Sequence, residues 1–159
     1  MVAALVSTAQ LFAQSETGDK EVMFNGSYSI TKSGDDWQGF GNIAFGLGYF
    51  ATAKTEVGFG TNISFVGAFA DTTFNGNFFL RYHFTEGQKS APYFLVDAYI
   101  PVHPWSTDSI YTRAGFGVKY YIKRNVAFDF HATYGLSVTH PGNFGQIANE
   151  FGLVYVFGK

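Results

Sequence analysis

Apolar and polar residues alternate with period two along most of the chain. Because the side chains of a strand point alternately to opposite faces, each alternating segment predicts a strand with one apolar and one polar face. Eight such segments follow one another, which predicts an all-β, eight-stranded, antiparallel up-and-down barrel. The predicted strands are residues 21–31, 40–51, 56–66, 73–84, 93–102, 109–122, 126–136 and 145–157.

The polar face of the predicted strands is rich in Gly, Ser, Asn and Thr and carries few charges. A face that meets water normally carries many Lys and Glu residues. Large aromatic residues on the other face suit the two interfacial girdles of a membrane barrel. The pattern therefore predicts a transmembrane β-barrel with lipid outside and polar side chains in its lumen. The alternative is a soluble, lipocalin-like ligand-binding barrel, whose apolar face would line a cavity.

Composition supports the membrane interpretation. The 159 residues are 19% aromatic and only 14% charged, whereas soluble domains are about 25% charged. No apolar stretch is long enough for a spanning helix, which needs about 18 consecutive residues. The net charge of −2 gives no basic footprint for nucleic acid. The chain has no cysteine, so it has no disulfide and no thiolate ligand or nucleophile.

The first 14 residues resemble the h-region and cleavage region of a secretory signal peptide. MVAALVSTAQLFAQ is a short apolar run with small residues, and a polar segment follows it. We expect cleavage near Ala13 or Gln14, which would leave residues 15–159 as the barrel domain. The basic n-region is missing because no Lys or Arg precedes Lys20. We therefore expect a start codon placed too far downstream or a truncated chain; a packed or disordered N-terminal arm is the alternative.

Four segments resemble the outer-membrane β-barrel domain of porin-family proteins in Gram-negative bacteria. GYFATAKTEVGFGTNISF (48–65) is similar to the second hairpin of that family, and FFLRYHF (78–84) to one of its strands. GFGVKYYIKRNVAFDFHATYG (115–135) resembles the penultimate hairpin, and FGLVYVF (151–157) the closing strand. One departure is that such proteins usually end on an aromatic residue, whereas Gly158 and Lys159 follow Phe157 here.

The resemblance implies an integral protein of the bacterial outer membrane. Its expected partners are outer-membrane lipid and lipopolysaccharide, and the barrel-assembly machinery during insertion. We expect a monomer that does not bind nucleic acid. A filled eight-stranded barrel favours a structural or surface-interaction role without enzymatic activity, and the alternative is a narrow channel for small or hydrophobic solutes.

Eight ionisable residues on the polar face predict a polar network inside the barrel, which is either structural or pore-lining. Three cations would balance three carboxylates there, and buried charges must be paired, because an unpaired one costs several kcal/mol. The predicted network consists of Arg81, His83, Asp97, Arg113, Lys119, Asp129, His131 and Glu150.

The alternation of faces and the strand register also predict individual pairs within this network. A hairpin that closes Ile122 on Val126 would place Lys119 directly opposite Asp129. In the same way, Asp97 would pair with Arg113 or Arg81, and His131 would pair with Glu150. The predicted result is a salt-bridge plug in a lumen that is too narrow to conduct freely.

Catalysis is a further alternative. His131, Thr133 and Glu150 could imitate a base, a nucleophile and an orienting acid, faintly similar to lipid A deacylases, which are eight-stranded barrels with a His-x-Ser pair. Thr replaces Ser here, and parity points His131 into the lumen, away from lipid. His83 and His131 have no predictable third ligand for a metal. We therefore expect no catalytic residue, no metal site and no cofactor.

Overall fold

Eight strands close into one barrel, in which each strand pairs antiparallel with its neighbours in sequence. This computed structural model describes residues 15–33, 36–66, 71–103, 110–139 and 144–158. The first strand pairs with both the second and the eighth, so no open edge remains among these strands. The predicted fold is confirmed. The strands are β1 (Lys20–Ser33), β2 (Asp36–Phe50), β3 (Thr55–Val66), β4 (Asp71–His83), β5 (Ser90–His103), β6 (Tyr111–Lys123), β7 (Val126–Ser137) and β8 (Phe144–Phe157).

Several strands extend beyond their predicted ends. β2 begins four residues earlier, at Asp36, and β5 spans Ser90–His103 rather than 93–102. Backbone pairing continues beyond the predicted ends, since Asp36 pairs with Ser33 and Ser90 pairs with Tyr120. The predicted signal peptide, residues 1–14, lies outside the described residues. Within the described part of the chain, no helix is long and apolar enough to cross a membrane.

The outer face of the barrel is covered by exposed large apolar side chains. Phe24, Phe78, Phe116 and Phe151 are 59%, 61%, 65% and 62% exposed. A soluble ligand-binding barrel would turn these side chains into its cavity, but here they point outward. An apolar surface of this extent marks contact with lipid rather than water.

Aromatic side chains gather at one end of this apolar surface, which we call the turn end. The connections 51–54, 84–89 and 124–125 lie there, together with the residues that lead into β1 and follow β8. Aromatic rings of this kind form the interfacial girdle of membrane barrels. The turn-end girdle, whose members are 41–48% exposed, consists of Tyr49, Tyr82, Phe84, Tyr120, Tyr155 and Phe157.

Glycines on the inner face allow strands and interior side chains to approach closely. A Cβ added at Gly115 would overlap the carbonyl oxygen of Ala132 on β7, and one at Gly117 would overlap the Tyr93 ring. Gly76, on the outer face, is different, since its nearest neighbour would be Val102 Cγ2 at 3.6 Å. Small inner residues are therefore a packing requirement of this narrow barrel.

We expect Gly115→Ala to lower the free energy of unfolding by about 1–3 kcal/mol, because the β7 backbone must shift to accommodate the methyl group. Gly76→Ala is the matched control and should change it by less than about 0.5 kcal/mol. Urea unfolding of vesicle-embedded protein, followed by gel mobility without heating, measures both variants. Equal losses in the two variants would contradict the packing argument.

Candidate functional site

All eight residues of the predicted interior network project into the lumen and are buried. Their exposed fractions range from 0% for Lys119 and Asp129 to 7% for Glu150. They come from β4, β5, β6, β7 and β8, where each occupies an inward position of the alternating pattern. They form two clusters, one nearer the turn end and one nearer the middle of the barrel.

Lys119 is the centre of the turn-end cluster. Its Nζ donates to the two carboxylate oxygens of Glu21 at 2.7 and 2.6 Å and to Glu56 Oε2 at 2.8 Å. The same Glu56 oxygen lies 3.2 Å from His83 Nε2. The lysine on β6 thus links carboxylates on β1 and β3 across the lumen.

Arg81 extends the cluster across the barrel. Its Nη1 donates to Glu21 at 3.2 Å, and its Nη2 lies 3.3 Å from Asp129 Oδ2. The guanidinium carbon lies 4.8 Å from the centroid of the Phe79 ring and 5.0 Å from that of Tyr93. Ion pairs and ring faces together hold this cation inside the lumen.

Arg113 is the centre of the second cluster. Its Nε donates to Asp97 Oδ1 at 3.0 Å and its Nη2 to Asp97 Oδ2 at 2.7 Å. Its Nη1 lies 2.7 Å from Glu150 Oε1, and its Nη2 also donates to the Tyr99 hydroxyl. Glu150 Oε2 in turn lies 3.2 Å from His131 Nε2. The bidentate Arg113–Asp97 pair has the geometry of a strong charge-assisted interaction.

Tyr93 joins the two clusters into one network. Its hydroxyl donates to Asp129 Oδ1 at 2.6 Å and lies 3.1 Å from His131 Nδ1. Contacts therefore run without interruption from His83 to Asp97. Tyr93 itself is fully buried, with 0% exposure.

Two carboxylates of the network were missed by the sequence argument, which predicted three carboxylates against three cations and did not include Tyr93 or Tyr99. Glu21 and Glu56 are both 0% exposed and bring the carboxylates to five, so the predicted balance is wrong. Each is the first residue of a predicted strand, where a charged residue is easily assigned to the preceding turn. The alternation of faces could have shown that Glu21 points inward, because it lies two residues before Met23, which points inward.

Two of the predicted pairs form, because Arg113 contacts Asp97 and His131 contacts Glu150, whereas Lys119 and Asp129 do not pair with each other. Lys119 lies opposite Asp129 in the β6–β7 register, as the sequence predicts, although Lys123 rather than Ile122 pairs with Val126, after an irregularity in the register. The ammonium group nevertheless turns to Glu21 and Glu56, while Asp129 accepts from Tyr93 and pairs with Arg81. Asp97 also lies opposite Arg113, and His131 opposite Glu150, in the strand registers.

The arrangement offers little space or geometry for chemistry. A cavity of about 30 Å³ lies between the clusters, and its lining includes Asn25, Asp97 and Glu150. This volume suits about one or two waters, whereas small-molecule sites are about tenfold larger. The Thr133 hydroxyl has no hydrogen-bond partner in the described part of the chain, so it is not aligned with His131 as a nucleophile.

No protein-family model matches the chain, and no curated protein matches it significantly. Among solved structures, neisserial surface protein A superposes with a TM-score of 0.69 at 15% identity, covering 88% of this chain and 99% of that one. The N-terminal β-barrel domain of Pseudomonas aeruginosa OprF gives 0.66 at 15% identity, over 90% and 100%. Ail, the attachment invasion locus protein of Yersinia pestis, gives 0.59 at 12%, over 90% and 100%.

The chain has the fold of eight-stranded outer-membrane β-barrels. At identities of 12–15%, this likeness concerns the fold and assigns no activity. The features that distinguish this barrel lie in its lumen and on its surface.

Lys119→Met should lower the free energy of unfolding of this barrel by about 3–5 kcal/mol, because two buried carboxylates lose their shared cation. Lys54→Met is the matched control. It removes an exposed pair, 3.6 Å from Glu86, and should cost at most about 1 kcal/mol. Urea unfolding in lipid vesicles measures both changes.

Adding Glu21→Gln and Glu56→Gln to Lys119→Met should recover much of the lost stability, because the unpaired charges are then gone. A triple variant no more stable than the single one would show that charge pairing is not the source of the loss.

Proposed function

We propose that this chain is an integral protein of the bacterial outer membrane whose filled barrel has a structural or surface-interaction role. The observation that carries the proposal is the lumen, which buried ion pairs fill from β1 to β8 around a cavity of about 30 Å³. Eight strands leave an interior just wide enough for side chains. A barrel so filled offers its outer surface and loops, rather than its interior, to other molecules.

The membrane placement is supported by the distribution of side chains. Exposed aromatic and aliphatic residues cover the outside, and the charged side chains inside the barrel form ion pairs. The orientation we propose places the turn end in the periplasm, where short connections are usual. Residues 1–14 would serve as the signal peptide, and insertion would use the barrel-assembly machinery. Lipid and lipopolysaccharide would surround a monomer of the porin-family type.

A narrow channel is the second candidate, and one observation favours it. The cavity is lined by residues of β1, β2, β4, β5, β6 and β8, so it lies within the lumen rather than between adjacent strands. Arg81 lies 3.2, 3.7 and 3.3 Å from carboxylates of Glu21, Glu56 and Asp129, which gives it alternative partners. Rearrangement of such pairs is the route by which this lumen would open.

Protein from an outer-membrane fraction should migrate differently on SDS gels with and without boiling. The exposed apolar surface already suits detergent, so the barrel should resist SDS until it is heated. Recovery of the protein in the soluble fraction, without a mobility shift, would contradict the membrane placement and favour a ligand-binding barrel.

Planar-bilayer recordings should detect no steady current through the wild-type barrel. Asp97→Ala combined with Arg113→Ala should also stay closed, because the turn-end cluster around Lys119 still fills the lumen. Gel mobility serves as the folding control. A current through the wild type would favour the channel, whereas no current through either protein would exclude it.

A further inference from the structure

The turn end of the barrel carries an excess of cations. Outside the buried network, five cations lie there, and the described chain has three carboxylates at the same end, Glu16, Asp19 and Glu86. Four of the five cations are exposed, and the fifth, Lys54, is partly exposed. The set, which we call the basic rim, consists of Lys20, Lys54, Lys89, Lys123 and Arg124.

Two of the three carboxylates are engaged locally. Asp19 Oδ2 accepts a hydrogen bond from the backbone nitrogen of Glu16 at 2.7 Å, and Glu86 lies 3.6 Å from Lys54. Lys20, Lys123 and Arg124 form no ion pair with any described residue. Lys20, Lys123 and Arg124 therefore present positive charge that no described carboxylate neutralises.

The basic rim lies at the level of the turn-end girdle. In the strand registers, Lys20 is opposite both Tyr49 and Phe157. The ammonium of Lys89 lies 4.8 Å from the centroid of the Tyr120 ring. Aromatic rings of such a girdle sit at the headgroup level of a membrane, and long cationic side chains reach the same level. These cations would therefore meet lipid headgroups rather than bulk water.

The excess is local and does not reflect a basic protein. The whole chain carries a net charge of −2. By sequence, the opposite strand ends and the connections between them hold one cation and four acids, namely Lys32, Asp35, Asp36, Asp71 and Asp108. Charge is thus divided unequally between the two ends of the barrel.

We propose that the basic rim binds the phosphodiester headgroups of anionic phospholipids, of the phosphatidylglycerol type, in the leaflet at the turn end. The inference rests on the membrane placement proposed above. Each cation near a charged membrane surface contributes about fivefold to the preference for anionic lipid. Because the rim is exposed, this preference weakens as salt is added.

The test compares wild type with a variant carrying Lys20→Gln, Lys89→Gln, Lys123→Gln and Arg124→Gln. Both are reconstituted in mixed phosphatidylcholine and phosphatidylglycerol vesicles, extracted in mild detergent, and examined by native mass spectrometry for retained lipid. Wild type should retain phosphatidylglycerol preferentially. The variant should lose at least about tenfold of that preference.

Matched single substitutions on β1 provide the control. Lys20→Gln and Lys32→Gln each remove one cation, from opposite ends of the same strand. Only Lys20→Gln should reduce the preference. Heat-dependent gel mobility in pure phosphatidylcholine vesicles tests insertion separately, so failure of the membrane placement is distinguishable from failure of the lipid inference.

Three outcomes would overturn the proposal. The first is an unchanged preference in the inserted four-site variant. The second is displacement of the retained lipid by excess inorganic phosphate, which would indicate a site for free phosphate. The third is a four-site variant that keeps the lipid preference but no longer binds peptidoglycan fragments, as wild type does. That result would assign the rim to the cell wall.

Discussion

A closed eight-stranded barrel in lipid must pair its inward charges within its own lumen. The surrounding hydrocarbon offers no hydrogen-bond partners, and the interior is only as wide as its side chains. Five carboxylates and three permanent cations are held together there, with the principal contacts of Lys119 and Arg113 at 2.6–3.0 Å. The glycines of the inner face follow from the same constraint, because a methyl group at Gly115 would displace the neighbouring backbone.

Lys119 shows how this constraint organises the molecule. It lies on β6, but its partners lie on β1 and β3, 98 and 63 residues away in sequence. The lysine thus couples strands that never pair with one another. Replacing it leaves buried charges unpaired, which is why a single interior substitution is expected to cost several kcal/mol.

Charge is used differently inside and outside the barrel. In the lumen it is paired and buried, and it fills space that a conducting pore would need. At the turn end it is exposed and unbalanced, beside aromatic rings such as Tyr120. The first arrangement supports a closed structural barrel, and the second supports contact with an anionic leaflet.

The alternation of residues by itself determined the strands, their two faces and the placement of Lys119 opposite Asp129, because side-chain direction and hairpin register are local properties. It did not by itself show that Glu21 and Glu56 belong to the network, since the alternation gives the face of a side chain at a strand end but not whether that end is buried. Only the tertiary structure decided that Lys119 binds these two carboxylates rather than Asp129. The physical reason is closure, which brings side chains of β1, β3 and β6 together across the lumen, where no local pattern reports their distance.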